Sequence, residues 1–361
     1  MKISKTAKTW LGIAVFLVLL VGLLYLAQRL LMPKYMSGVP EGALPAEYYR
    51  ETTDHDVIFI GDCEVYENFS PMTLWDEYGI TSYIRGGAQQ LIWHSYYTLE
   101  DTLRHETPKI VVFNVLSMKY GEPQSEAYNR MNLDGLRFSS SKLSAVSASM
   151  TEDETFLSYV FPLLRFHSRW SELTGDDFRY WFKTDPVAHN GYLMRIDVKP
   201  KTQLPSKPVL DDYTLSYTCF EYLDKMQALC RENGIQLILI KSPSEYPYWY
   251  DEWDEQVDSW ALQNDVPYIN MLAISEEIGI DMQTDTYDGG LHLNLAGAEK
   301  LSSWFGEYLT EHYDLEDHRS DPVYAEVYEM KKAAYEAEKA DQQRQLDEYG
   351  KLIDIERING N

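Results

Sequence analysis

The stretch VIFIGDCEVYENFSP, residues 57–71, joins an apolar run to a cysteine through a glycine and an aspartate. A short, continuous apolar run such as Val57–Ile60 predicts a strand that is buried on both faces. Gly61 and Asp62 end the run, so Cys63 is expected at the carboxyl end of this strand. Taken alone, the cysteine has two interpretations: a nucleophile held at a strand end, or a small residue buried in the core.

Further apolar runs of strand length follow, and helical patterns separate most of them. The expected strands are Val57–Ile60, Ser82–Arg85, Ile110–Val115, Ile235–Ile240 and Val266–Met271. The expected helices are Leu91–Arg104, Tyr213–Asn233, Asp251–Asn264 and Asn294–Tyr313. Strands that alternate with helices predict an α/β fold, here a three-layer α/β/α sandwich with a mostly parallel central sheet. In such sheets the chemistry lies beyond the carboxyl ends of the strands.

The N-terminal segment has the composition of a membrane span. Lys2, Lys5 and Lys8 precede Trp10–Ala27, which is 18 residues long without a charge. This length covers most of the hydrocarbon core, and no A-x-A cleavage site or lipobox cysteine follows it. The sequence predicts an uncleaved signal anchor, single-pass in the cell membrane, with the lysines inside and the body extracytoplasmic. The alternatives are a buried helix of a soluble protein and a structural protein that faces the cytosol.

The rest of the chain divides by composition. Residues 1–35 form the cytoplasmic tip and the transmembrane anchor, and residues 36–55, rich in Pro, Gly and charge, are expected to be a tether. The α/β domain is predicted over residues 56–320. Residues 117–210 interrupt the alternation as a helical insertion, expected either to cap the strand ends or to have structural value only. Residues 321–361 are predicted to be a charged C-terminal helix.

The C-terminal helix has one weakly apolar face. Pro322 stands where a helix can start, and the face comprises Val323, Val327, Met330 and Ala334. This pattern predicts a docked helix with a solvated end; a coiled-coil site for a partner is the alternative.

Charge and cysteine content exclude several classes of function. The net charge is −25, from 57 acidic and 32 basic residues, which argues against nucleic acid as a partner. Cys219 and Cys230 lie on one face of a predicted helix, about 16 Å apart, which is too far for a disulfide. The eight histidines show no metal-ligand spacing. The sequence predicts neither a metal site nor a cofactor.

Four groups of polar or small residues follow the strands or open a helix. They are Gly61–Asp62–Cys63, Arg85–Gly86–Gly87, Asn114, and Asp288 with His292 in YDGGLHLNLAGAEKL. Because the carboxyl ends of parallel strands share one edge of the sheet, all four groups can converge there.

This order of motifs resembles the SGNH, or GDSL-type, hydrolase family over roughly residues 54–116 and 213–312. The resemblance implies an SGNH-like three-layer fold and acyl transfer to water or another hydroxyl. It places Cys63 in the nucleophile position, with His292 as base and Asp288 as its orienter. It places Gly86, Gly87 and Asn114 in the oxyanion-donor positions.

Within that family, the anchor and the HLN…GA ending are similar to a membrane-anchored cell-envelope branch that includes the D-alanyl transfer protein of teichoic acid. The resemblance implies an envelope polysaccharide or teichoic-acid-like polymer as substrate, and a membrane-bound O-acyltransferase as a candidate partner. The chain departs from the family in three ways. Cysteine replaces serine at position 63, three residues separate Asp288 from His292, and Asn114 lacks the usual G-x-N-D setting.

Other residues near the strand ends are weaker candidates. Substrate contacts are expected from Asp62, Arg85, Tyr246, Trp249 and Asn294; Glu64 is expected in solvent, and pairing with Asp62 is the alternative for Arg85. Packing against the insertion is the alternative for the aromatic residues.

A catalytic Cys63 requires a reactive thiol. An adjacent imidazolium or helix N-terminus is expected to lower the pKa of the thiol below its free value of about 8.5. The resulting hypothesis is an acyl esterase or O-acyltransferase that uses Cys63, His292 and Asp288. The competing hypothesis is a non-catalytic module that binds an envelope glycan or docks with a membrane acyltransferase.

Overall fold

The computed structural model describes residues 4–36 and 38–353. Its centre is a parallel sheet of five strands in the order β2-β1-β3-β4-β5. The strands are β1 Val57–Gly61, β2 Ser82–Gly86, β3 Ile110–Asn114, β4 Gln236–Lys241 and β5 Tyr268–Asn270. The predicted α/β class with a parallel central sheet is confirmed, since each expected run contains one strand apart from small shifts at its ends.

Helices flank this sheet. In chain order the described α-helices are α1 Lys5–Leu31, α2 Leu44–Glu47, α3 Cys63–Tyr66, α4 Pro71–Tyr78, α5 Ile92–Thr102, α6 Glu126–Leu133, α7 Ser140–Ser149, α8 Phe156–Val160, α9 Leu163–Phe166, α10 Gly175–Arg179, α11 Tyr217–Glu232, α12 Asp251–Asn264, α13 Ser275–Ile278, α14 Leu295–His312 and α15 Pro322–Tyr349. Short 3₁₀ helices cover Pro40–Ala43, Tyr48–Arg50, Val115–Lys119, His167–Ser171 and His318–Ser320.

The two faces of the sheet pack into two separate cores because successive side chains of a strand point to opposite faces. In β1, Val57 and Phe59 join the core beneath α4 and α14, whereas Ile58 and Ile60 join the core beneath α5, α11 and α12. All four side chains are fully buried. The strand is therefore apolar throughout, as its sequence predicted.

The strand order reverses direction at β1, which pairs with β2 on one side and with β3 on the other. Ligand sites of open α/β sheets form at such a switch point, beyond the carboxyl ends of the strands. Cys63 follows β1 at this edge, and Asn114 ends β3 beside it.

Helix α1 is long and apolar enough to cross a membrane. It has 27 residues, an 18-residue window of mean hydropathy 2.6 and no buried side chain. At 1.5 Å per residue it is about 40 Å long, more than the thickness of the hydrocarbon core. Residues 1–3 of the expected cytoplasmic tip lie outside the described residues.

The expected tether differs from the structure. Residues 40–50 form three consecutive short helices, and Leu44 and Tyr48 are 3% and 4% exposed. The ring of Tyr48 lies against the guanidinium of Arg85. This segment is part of the folded body because its apolar side chains fill the edge of the sheet near β2.

The insertion divides into segments with different neighbours. Helix α7 packs on α5, and residues 190–193 run along β2, where the N–H of Ile84 donates to the carbonyl of Asn190. Residues 199–208 cross the carboxyl edge, bonding to Thr286 at one end and to the hydroxyl of Tyr250 at the other.

Helix α15 docks mainly on a different face from the one predicted, although Val327 of the predicted face packs against the core. Val323 and Met330 are 63% and 64% exposed, whereas Tyr328, Tyr335 and Gln342 are buried. These three recur every seven residues, and the ring of Tyr328 stacks on that of Trp75. Tyrosine anchors this helix because its ring is apolar while its hydroxyl can bond inside the interface. Residues 354–361 of the expected tail lie outside the described residues.

Candidate active site

The loop after β1 places Cys63 at the first position of α3. The side chain of Asp62 caps this helix, its Oδ1 accepting from the N–H of Glu64 at 3.2 Å. The Cys63 side chain is half-buried, and His292 lies near enough to lower the pKa of its thiol through charge and hydrogen bonding. The predicted nucleophile and base therefore meet.

The loop before α14 holds His292 and Asp288 in contact. Nδ1 of His292 lies 2.7 Å from Oδ2 of Asp288. The other oxygen, Oδ1, accepts from the N–H groups of His292 and Leu291 at 2.9 and 3.2 Å. The three-residue separation still permits an orienter because the loop turns back on itself. With Nδ1 bound to the carboxylate, Nε2 is the nitrogen left for the thiol.

A second carboxylate, missed by the sequence analysis, also contacts the histidine. Oε2 of Glu67 lies 3.4 Å from Nδ1 of His292 and accepts from the hydroxyl of Tyr287. The N–H of Glu67 donates to the carbonyl of Cys63 one helical turn earlier. This spacing of four residues was the available signal, since residues i and i+4 of a helix share a face.

The pKa values of Cys63, His292, Glu67 and Asp288 depend on burial and on one another's charges. Burial raises the pKa of the Cys63 thiol to about 11, outweighing the nearby His292, which lowers it. Burial lowers the pKa of His292, but the charges of Glu67 and Cys63 and the hydrogen bond to Asp288 raise it well above its ordinary value. Burial also raises the pKa of Glu67 to about 7. Burial raises the pKa of Asp288, but the bond to His292 prevails and holds it below its ordinary value.

These shifts correct the expectation of a low-pKa thiol. Burial favours the neutral thiol over the thiolate, and the carboxylate groups beside His292 favour its imidazolium form. Because a proton can pass from sulfur to the imidazole only when the imidazole is neutral, activity is expected to rise toward alkaline pH.

Asn114 has a different role from the predicted oxyanion donor. It is fully buried, and its Nδ2 donates to Oδ1 of Asp62 at 3.1 Å and to Oε2 of Glu64 at 3.0 Å. Its Oδ1 accepts from the N–H of Ser242. Both amide hydrogens are committed, so Asn114 braces the nucleophile loop.

Glu64 is buried beneath the nucleophile instead of facing solvent. It is 1% exposed, and both its oxygens lie within 3.0 Å of Nζ of Lys241, whose side chain is fully buried. Burial raises the pKa of Glu64, against the charge of Lys241. The pair fixes the end of β4 to the start of α3.

Gly86, at the end of β2, and Gly87, directly after it, make close contacts. A Cβ on Gly86 would lie 3.0 Å from Val65, and one on Gly87 would lie 2.2 Å from Oδ1 of Asn132. The N–H of Gly87 donates to the carbonyl of Gly61 at 3.3 Å. These positions require glycine for packing, and the N–H of Gly87 is already engaged.

Lys119 is a further cation near the nucleophile that the sequence analysis missed. It ends the 3₁₀ helix after β3. Burial holds the pKa of Lys119 below its ordinary value, although the acidic groups of Asp62, Glu64 and Cys63 raise it. Tyr246, from the loop after β4, also raises the pKa of Lys119, and its side chain is half-buried at the same edge.

The other predicted substrate contacts have structural partners instead. Arg85 pairs with Oδ2 of Asp101 at 3.0 Å and is 5% exposed, so its partner is not Asp62. Trp249 is 5% exposed and its Nε1 donates to Asp254. Asn294 caps α14, its Oδ1 accepting from the N–H of Gly297. The carboxylate of Asp62, a fourth candidate, caps α3 by accepting a hydrogen bond from the N–H of Glu64.

A cavity of about 340 Å³ lies next to residues that contact His292. Glu67 and Tyr287, which contact His292, lie on its wall, as do Arg195, Glu41 and Met36. Met36 is five residues after Leu31, the last residue of α1, so this part of the wall lies within about 18 Å of the end of that helix.

Within residues 4–36 and 38–353, no three His, Cys, Asp or Glu side chains are grouped to hold a metal ion. The arrangement of thiol, imidazole and carboxylate supports nucleophilic acyl transfer, in which the base is oriented by a third group.

Comparisons with known proteins give weak similarities. No protein-family model matches the chain, and no curated protein matches it. One similar solved structure, from Bacteroides fragilis, is assigned as an acylhydrolase; it has 12% identity and a TM-score of 0.35, over 74% of this chain and 94% of that one. Another is a GDSL-like lipase from Bacteroides thetaiotaomicron, with 11% identity and a TM-score of 0.35, over 76% and 100% of the two chains. Similarity at this level does not assign a family, and the case for acyl transfer rests on the geometry of the site.

Proposed function

We propose that the protein is a membrane-anchored, extracytoplasmic acyl esterase or O-acyltransferase that acts on a cell-envelope polymer through Cys63, His292 and Asp288. The observation that carries the proposal is the contact chain at the switch point of the sheet. His292 lies beside the Cys63 thiol and lowers its pKa, and Nδ1 of His292 lies 2.7 Å from Oδ2 of Asp288.

The reaction follows from these three groups. Neutral His292 takes the thiol proton, and the thiolate adds to the ester carbonyl. The alkoxide leaves with the proton from His292, which produces an alcohol and a thioester on Cys63. A second hydroxyl, from water or a polymer, then loses its proton to His292 and attacks the thioester. This releases the acyl group and restores the thiol.

The position of the cavity supports a substrate at the membrane surface. Its wall includes Glu67, and Met36 on the same wall lies within about 18 Å of the end of α1. The lysines before α1 favour a cytoplasmic N-terminus and an extracytoplasmic body. The envelope polymer, and docking with a membrane-bound O-acyltransferase, are suggested by the family resemblance.

The proposal is tested with the full chain in detergent micelles. The protein is incubated with p-nitrophenyl acetate, and acetylated peptides are identified by mass spectrometry. We expect acetyl-Cys63 with release of p-nitrophenolate, and neither in Cys63→Ala; Cys219→Ala is the matched control, because that thiol is buried in the core. Absence of acetyl-Cys63 up to alkaline pH would overturn the enzyme proposal. Protease accessibility in intact cells tests the topology.

A non-catalytic, glycan-binding or docking module is the second candidate. Two observations favour it: burial raises the pKa of Cys63 to about 11, and the amide of Asn114 is fully occupied. In that case iodoacetamide leaves Cys63 unmodified in the folded protein at every pH, and Cys63→Ser gains no turnover.

A further inference from the structure

The insertion carries an unusually apolar exposed surface. We call residues 156–182 the aromatic collar; they include α8, α9 and α10. Within 26 residues the collar exposes six large hydrophobic side chains, each by more than half: Leu157, Phe161, Leu164, Trp170, Phe178 and Phe182. These exposed apolar side chains stand in a chain whose net charge is −25.

The collar lies against the last turns of the apolar helix α1. Nε1 of Trp181 donates to the carbonyl of Leu26 at 3.1 Å, and Nε of Arg29 donates to the carbonyl of Trp181 at 2.9 Å. Nη1 of Arg169 donates to the carbonyl of Leu31. These contacts hold the collar beside residues 26–31, the C-terminal end of α1.

The ionic groups of the collar are largely paired within the protein. Arg165 bonds to Glu126 at 2.7 Å, and Arg169 bonds to Asp177 at 2.9 Å. A surface whose charges are paired and whose exposed groups are Trp, Phe and Leu suits the boundary between headgroups and acyl chains. It has no excess of free cations for binding anionic lipid specifically.

We propose that the aromatic collar is a second membrane contact, buried in the headgroup region of the leaflet where α1 emerges. The occupant is lipid because the surface is continuous with the end of the span. This inference rests on the proposed function in one respect, that α1 crosses the membrane. With two attachments the body is held in one orientation, and the cavity beside His292 faces the lipid surface.

Photoactivated cross-linking tests the collar. The full chain is reconstituted in phosphatidylcholine vesicles whose acyl chains carry a diazirine, irradiated, digested and mapped by mass spectrometry. We expect lipid adducts in residues 5–31 and in residues 156–182. We expect none around Leu262, which is 76% exposed on α12 and serves as the apolar control.

A matched pair of variants sharpens the result. Trp170→Asp combined with Phe178→Asp should remove the adducts from the collar while leaving those in α1, with unchanged p-nitrophenyl acetate turnover. Leu262→Asp should change neither. Adducts confined to α1 in the unmodified chain would overturn the proposal and assign the collar to a protein partner or a second copy. Adducts in neither segment would refute the membrane span and, with it, the collar. Either cross-linking result can be told apart from a failure of the acyl-transfer proposal, because turnover of p-nitrophenyl acetate is measured in a separate assay.

Discussion

Replacing Glu67 by glutamine should move the pH profile of acyl transfer to lower pH. Glu67 is 7% exposed, and its Oε2 lies 3.4 Å from Nδ1 of His292. When ionised, this carboxylate stabilises the imidazolium and so raises the pKa of the base. Glutamine keeps the shape of the side chain and removes the charge.

The size of the effect follows from the distance. Opposite unit charges 3.4 Å apart interact by about 5 kcal/mol at an effective dielectric constant of about 20. This is an upper bound, since burial raises the pKa of Glu67 to about 7 and its carboxyl is therefore partly protonated near neutrality. One pH unit corresponds to about 1.4 kcal/mol. We expect the acid limb to move down by about 1–2 pH units.

The assay is kcat/KM for p-nitrophenyl acetate from about pH 5 to 10, which reports ionisations of the free enzyme. The thiol stays protonated over most of this range because its pKa is about 11, so the acid limb reports proton loss from His292. Glu41→Gln is the comparison, since Glu41 lines the same cavity and acts on His292 through its charge without a hydrogen bond in the described structure, so a smaller shift of the acid limb is expected. An acid limb that stays in place or moves to higher pH in Glu67→Gln would refute the reasoning.

Three further predictions concern the base, the buried ion pair and the C-terminal helix. His292→Ala should lower turnover of p-nitrophenyl acetate about 10²–10⁴-fold, as for loss of a general base; unchanged turnover would exclude His292 from the chemistry. Lys241→Met leaves the carboxylate of Glu64 buried without its cation, and should lower the free energy of unfolding by about 3–5 kcal/mol in urea titrations. The double variant with Glu64→Gln should recover much of that loss, and no recovery would contradict the pairing. Tyr328→Ala should cost about 3–5 kcal/mol because the ring is fully buried, whereas Met330→Ala on the exposed side should change stability by less than about 0.5 kcal/mol; equal effects would contradict the docking face.

Local patterns predicted the sheet well because its strands are buried on both faces. In a chain whose strands alternate with helices, a short apolar run such as Val57–Ile60 predicts a buried strand, and the structure places it in β1. Helix α12 has the predicted bounds, Asp251–Asn264. The convergence of Cys63, His292 and Asp288 was also predictable, since parallel strands deliver their carboxyl ends to one edge.

The roles of individual polar residues could not be predicted, because burial and partners depend on distant segments. Lys241 lies 177 positions from Glu64 in the chain, yet the two side chains form a buried pair. Asn114 has the side chain of an oxyanion donor, but Asp62 and Glu64 occupy both its amide hydrogens. The docking face of α15 was misassigned because its anchors are tyrosines and glutamines, which an apolar pattern does not count.

The sequence by itself determined the α/β class and the apolar N-terminal helix, because each depends on periodicity or composition within a short stretch. Only the tertiary structure decided that Glu67 joins Asp288 at His292 and that burial raises the pKa of the Cys63 thiol. It also decided that the insertion presents its aromatic side chains beside the end of α1. These properties arise from desolvation and from contacts between segments far apart in the chain, and no local pattern records either.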